Sequence, residues 1–261
     1  DLKWELGINF SKNTNKINTL LGLDKNGDGK EDDLVANGLF IGKSIGSVYT
    51  YVKEGIYQIG ETLPAGYSVG SYKFKDISGP DGTPDGKITA EYDRTIIGKT
   101  EPDYQIGITN AIIYKSFSLK FFITSIQGGI GKNEPWNDPN GFYGKTSTVL
   151  TTNRFNDIDS WSPTNPNAKY SLPGITLPVT YSPYQDRSFI RLQDVSFSYN
   201  FSKELLSKLK VADLKLFVSG KNLITLTKWD GWDPETGAGL AISNTGLPVM
   251  KSLTLGLEVA F

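Results

Sequence analysis

Period-two alternation of large apolar residues constrains this chain more than any other feature. It begins at Leu2, Trp4, Leu6, Ile8 and Phe10, with Lys3, Glu5, Gly7, Asn9 and Ser11 between them. It returns at Tyr104, Ile106, Ile108, Asn110, Ile112 and Tyr114, and again at Phe117, Leu119, Phe121 and Ile123. Val195, Phe197, Tyr199 and Phe201 repeat it, as do Leu214, Leu216 and Val218. The chain closes on Leu253, Leu255, Leu257, Val259 and Phe261. Successive side chains of a strand point to opposite faces, so each stretch has one apolar, aromatic face and one polar face. The six strands predicted are about 9–12 residues long. Ordinary globular strands are nearer 5–6, and a tilted membrane-crossing strand needs about 9–11.

The connections add a second constraint. Lys115-Ser116 separates the second and third strands, and a short polar turn around 202–210 separates the fourth and fifth. The other connections run roughly over 15–102, 130–187 and 228–248. Short and long alternate strictly. Compact soluble domains rarely carry structureless loops beyond about 12–15 residues. Outer-membrane barrels pair short periplasmic turns with long extracellular loops. On that reading the odd strands run outward, the even strands inward, and the C-terminus faces the periplasm. The terminal aromatic Phe261 fits a closing barrel strand. Short strands are expected within 38–60, and a single helical turn over 203–210.

Composition excludes several classes. Cysteine and histidine are both absent, which removes thiol nucleophiles, disulfides, the commonest general base and the commonest transition-metal ligand. The balance of 27 basic against 28 acidic residues points to neither nucleic acid nor anionic lipid as a partner. No run approaches the roughly 18 apolar residues of a membrane helix, and transmembrane strands do not need one.

Four stretches carry a family resemblance. They are Trp4-Glu5-Leu6-Gly7-Ile8-Asn9-Phe10-Ser11 with Asn13 and Asn15-Lys16-Ile17; Asp85-Gly86-Lys87-Ile88 with Asp93-Arg94-Thr95-Ile96-Ile97-Gly98; Phe189-Ile190-Arg191-Leu192-Gln193-Asp194-Val195-Ser196; and Ser219-Gly220-Lys221-Asn222-Leu223 with Trp232-Asp233-Pro234-Glu235. In this order the chain resembles the C-terminal part of the SusC family, the TonB-dependent transporters of Bacteroidetes outer membranes. The resemblance implies an all-β fold: the last six or so antiparallel strands of a transmembrane barrel of about 22 strands. Residues 1–261 would be one C-terminal barrel segment, with the plug domain and the other strands outside it. It also implies a SusD-like surface lipoprotein as lid, TonB acting through the plug, and oligosaccharides or peptides as substrates. Six strands cannot close such a barrel, and open edges are not tolerated in lipid. A C-terminal fragment, or one half of a split transporter docked on a companion chain, is therefore expected.

Candidate sites lie in the long connections. Asp24, Asn26, Asp28 and Asp32 follow the oxygen-ligand rhythm of a calcium loop, with Gly29 at its sixth position, but Val35 stands where the bidentate Glu belongs. Asp76, Asp81, Asp85 and Asp93 form a second acidic loop. For both, the competing reading is a turn held by Asp and Gly. Trp136, Trp161, Tyr170, Tyr181, Tyr184, Trp229 and Trp232 offer aromatic faces for sugar rings or for the lid, or they pack among the loops. Arg191 is expected to pair with a barrel-wall carboxylate. Glu5, Lys120 and Glu258 should face the lumen.

Three functions compete: active import by the transporter, with no catalysis; a secreted β-sandwich serving as carbohydrate-binding or adhesion module; and a glycosidase using two loop carboxylates. Strand length, loop asymmetry and Phe261 favour import.

Overall fold

The computed structural model describes residues 2–133, 159–172, 174–237 and 247–261. In chain order the elements are β1 (Leu2–Ser11), β2 (Ser47–Tyr51), β3 (Lys53–Ile56), β4 (Tyr72–Phe74), β5 (Arg94–Lys99), β6 (Tyr104–Tyr114), β7 (Phe117–Gln127), β8 (Ile130–Lys132), β9 (Tyr184–Asp186), β10 (Phe189–Asn200), the helix α1 (Lys203–Leu209), β11 (Asp213–Thr227) and β12 (Ser252–Ala260). Six long strands form one antiparallel sheet in the order β1-β6-β7-β10-β11-β12. These are the six stretches of alternation. β2 pairs with β5, β3 with β4 and β8 with β9, all within the first two long connections.

The register sorts side chains by chemistry. One row across the sheet reads Leu6, Asn110, Phe121, Val195, Gly220, Leu253. The next row, on the opposite face, reads Glu5, Ala111, Lys120, Ser196, Ser219, Thr254. A slip of one residue in any strand would move its apolar set to the polar face, so the pattern itself fixes the pairing. Two turns complete the short-turn end. Lys115 adopts a left-handed φ of 54° in the two-residue β6–β7 hairpin, as the twist of paired strands demands. Lys210, at φ 58°, closes α1 with its N–H on the carbonyls of Leu206 and Ser207. β11 runs further than the alternation shows. Its register with β10 shifts between Leu192 and Asp194, and Asn222 adopts a φ of 52°, so the period breaks while pairing continues to Thr227.

Among the described residues, nothing packs on the apolar face of this sheet. Leu2, Ile8, Leu253 and Leu255 are 67–75% exposed. The buried apolar residues lie instead in the connections, apart from Phe189 at the loop end of β10. A β-sandwich would bury one face of each sheet against the other; no such partner sheet exists among the described residues. Aromatic belts mark the two ends of the face. Phe117 stacks on Phe197 at 5.8 Å and meets Tyr199 at 4.8 Å near the short turns. Phe10 stacks on Tyr104 at 5.9 Å near the long connections. Tyr104 and Tyr114 bound β6. At roughly 3.4 Å per residue and a tilt of roughly 40°, they are roughly 26 Å apart along the barrel axis, close to the height of an outer-membrane apolar band. The sheet is a piece of transmembrane β-barrel wall.

The polar side chain of Asn110 sits midway along the apolar face. Asn110 is 8% exposed, and its Oδ1 accepts a hydrogen bond from Trp4 Nε1 at 3.2 Å. A polar pair inside an apolar band is tolerated when each partner satisfies the other. Trp4→Phe is expected to lower barrel stability by about 1–3 kcal/mol, the cost of stranding the amide. Adding Asn110→Leu should restore most of the loss. The midpoint of heat-induced mobility shift in detergent reads both; equal midpoints for Trp4→Phe and wild type would show the bond to be idle.

Candidate functional site in the loop assembly

The long connections are built, not slack. The first and second share an aromatic core of Tyr51, Ile56, Tyr57, Tyr67, Tyr72, Phe74, Trp161 and Tyr181. Phe74 meets Tyr181 edge-on at 4.6 Å, and Tyr57 meets Tyr67 at 5.7 Å. The indole N–H of Trp161 donates to Gln58 Oε1 at 2.9 Å. Gly70 makes the junction possible. Its φ is +85°, and a Cβ there would stand 2.7 Å from the Trp161 ring and 2.8 Å from Leu172. Its N–H donates to the Tyr57 carbonyl, and its own carbonyl accepts the Leu172 N–H.

The aromatic candidates divide by burial. Trp161, Tyr170, Tyr181 and Trp229 are 3–7% exposed and pack among the connections. Tyr184 is half-buried and Trp232 is 56% exposed. Trp136 lies outside the described residues.

In the acidic loops the carboxylates turn inward to backbone N–H groups. Asp24 accepts from Gly27, Asp28 and Gly29. Asn26 accepts from Asp28, Asp28 from Lys30, and Asp32 from Lys25. In the second loop Asp93 is fully buried and accepts from the N–H groups of Ile77, Ser78 and Thr89. Asp76 accepts from Gly86, Asp85 from Lys87, and Asp81 from Thr83, whose N–H and hydroxyl hold the Asp81 carboxyl below the usual range. The second Asp76 oxygen is enclosed without a hydrogen-bond partner. Ca²⁺ takes six to eight oxygens. Among the described residues no three acidic groups are gathered as a metal ion would need.

Arg191 does something other than the sequence suggests. Its partners are not on the barrel wall but on the third long connection. The guanidinium is 1% exposed; Nη2 pairs with Asp233 at 2.9 Å and Nη1 with Glu235 at 2.5 Å. Nε donates to Thr225 Oγ1 at 3.0 Å, and the group lies 4.8 Å over the Phe189 ring. Arg191 sits near the loop end of β10, where the third connection folds back within reach. Arg187 extends the clamp by donating to the carbonyls of Pro234 and Glu235. Burial pushes Arg187 below its ordinary value, with Asp233 acting in the opposite direction. Asp233 also accepts the N–H groups of Glu235, Thr236 and Val249, so it holds both limbs of the connection.

A cleft of about 320 Å³ opens between the first two connections, lined among others by Lys53, Ile97, Lys169, Tyr170, Tyr184 and Gln185. Beside it the Tyr170 hydroxyl donates to Asp230 at 2.9 Å, and Lys169 pairs with Asp230 at 2.5 Å. Burial and the bond to Asp230 push the Tyr170 phenol well above its ordinary value. Fully buried Asn133 donates to Gln185 Oε1 at 3.1 Å. Lys53, Lys169, Gln185 and Asp230 were not candidates in the sequence. Lys53 is 116 residues before Lys169, and Asp230 is 45 residues beyond Gln185, so no short-range period marks them.

No protein-family model matches the chain. It is 31% identical to TonB-dependent receptor P3 of Formosa agariphila and 28% identical to TonB-dependent receptor P26 of the same organism. Each match covers the whole chain and 27% of the receptor, so the chain spans about a quarter of the relatives it matches. Among solved structures it is similar to the RagAB peptide importer in its open-open state, with a TM-score of 0.69 at 19% identity over all of this chain and 27% of that one. The closed-closed state gives a TM-score of 0.66, again at 19% identity, over all of this chain and 28% of that one. The fold thus defines a segment of an outer-membrane-type barrel wall. Sequence likeness over its whole length relates it to the TonB-dependent receptors of a Bacteroidetes bacterium, as the four motif stretches implied.

Gly70→Ala should loosen the junction of the first two connections by at least about 2 kcal/mol, from a strained backbone and an overfilled core. Hydrogen exchange at Gly70 and Leu172 should quicken while the β6–β7 ladder stays protected. Arg191→Met strands the buried Asp233 carboxylate, at a local cost of about 3–5 kcal/mol. Limited proteolysis should then cut within 228–248 far faster than in wild type, and Asp233→Asn in the same chain should slow it again. Unchanged cleavage would rule out the clamp.

Proposed function

We propose that the receptor carrying this chain imports a nutrient oligomer, a saccharide or a peptide, across the outer membrane in a TonB-dependent cycle. The observation that carries this reading is the bare apolar sheet face between two aromatic belts, in a chain related along its whole length to TonB-dependent receptors. The unpaired edges of β1 and β12 would be closed by further barrel strands. The remaining strands and a plug complete the receptor, and residues 1–261 form its C-terminal segment. The short turns and the C-terminus face the periplasm, and the built connections face outward beneath a SusD-like lipoprotein. The described connections hold a packed aromatic core, which suits a preformed surface for a substrate and a lid.

The test is uptake in cells. Deletion of the receptor is expected to abolish growth on one class of oligomer, and deletion of TonB should do the same while leaving the receptor in the outer membrane. Affinity purification in detergent should recover a surface lipoprotein. Undiminished uptake in both deletion strains would end the import reading.

A further inference from the structure

We propose that the cleft between the first two connections is a subsite for a carboxylate on the imported oligomer, with Lys53 as its anchor; this rests on the import reading above. Lys53 lies on β3, and its Nζ donates to the Lys169 carbonyl at 2.7 Å and sits 4.9 Å over the Tyr72 ring. None of the ion pairs found among the described residues includes Lys53. The neighbouring ammonium, Lys169, is already matched by Asp230 at 2.5 Å. Among the described residues the cleft therefore holds an excess of one positive charge.

The other polar groups nearby are engaged. Asp230 receives both Tyr170 and Lys169, while Gln185 accepts from Asn133 and donates to Tyr170. An ammonium has three donors, and one of Lys53's goes to the Lys169 carbonyl. The hydrogen-bonding capacity left in the cleft is thus a charged donor. That favours an acceptor-only, anionic group over a neutral hydroxyl. Burial, and then the charge of Lys169, push the Lys53 amine below its ordinary value, and an anion beside it would act in the opposite direction. Ile97 and the Tyr170 and Tyr184 rings keep the walls apolar enough to strengthen such a pair. A volume of about 320 Å³ suits one unit of an oligomer rather than a whole chain.

The test is calorimetric binding to the complete receptor in detergent. Two probe pairs are used: trigalacturonate against its methyl ester, and a hexapeptide with a free carboxyl terminus against its amide. One carboxylated probe is expected to bind, and its neutral partner to bind roughly tenfold to hundredfold more weakly, as loss of a hydrogen bond to a charged group implies. Lys53→Met should lose the same factor, and Lys53→Arg should recover most of it. The pair that discriminates identifies the source of the carboxylate. Equal binding of charged and neutral probes, no binding of either acid, or an unaffected Lys53→Met would each overturn the subsite. Charge-selective binding without TonB-dependent uptake would support the subsite and remove the import reading. Uptake indifferent to Lys53→Met would do the reverse.

Discussion

The backbone hydrogen-bond ladder of the six long strands is what everything else hangs from. A single-layer sheet has no core of its own, so neither packed side chains nor a second sheet can hold its strands in place. The ladder does so, continuous from β1 to β12, and it leaves few backbone polar groups facing the apolar side. Lipid supplies the environment that makes an uncovered row of Leu, Ile and Phe stable. The arrangement of polarity is then inverted relative to a soluble sheet: the apolar residues sit on the outside, and the polar row of Glu5, Lys120 and Ser196 looks inward.

That inversion explains where the true hydrophobic core went. The wall has handed it to the connections, which pack Tyr72, Phe74, Trp161 and Tyr181 into a body resting on the strand ends. The small paired strands β2 to β5 exist because a connection this long must satisfy its own backbone. Two architectures with different solvents therefore share one chain. Arg191 joins them, rooted in a strand of the wall and committed to carboxylates of the roof.

The wall was legible in the sequence and the roof was not, for one physical reason. A strand writes its environment into every second residue, so Leu253 to Phe261 announces a face without reference to anything else. The place of Tyr170 depends on Asp230 and Gln185, neither adjacent in sequence, and no local pattern separates this buried ring from half-buried Tyr184 in the same cleft. The acidic loops show the same limit. Spacing alone suits both a cation and a set of backbone N–H groups, and the bonds that Asp24 and Asp93 accept from backbone N–H groups cannot be read from spacing. Asn110 was read as a member of an apolar face. It is one, but only because Trp4, diagonally across on the next strand, donates its indole N–H to the amide.

The clamp at Asp233 has a consequence for how such a protein can change. One carboxylate gathers N–H groups from both the outgoing and the returning limb of the third connection, and Arg191 ties that carboxylate to the wall. The base of the connection is thereby sealed off from its tip. Closing a longer tip costs only about 0.6 kcal/mol for each doubling of length. A change of length between Thr236 and Val249 therefore need not reach β11 or β12. A connection tied off in this way can change its length while the barrel wall beneath it stays still.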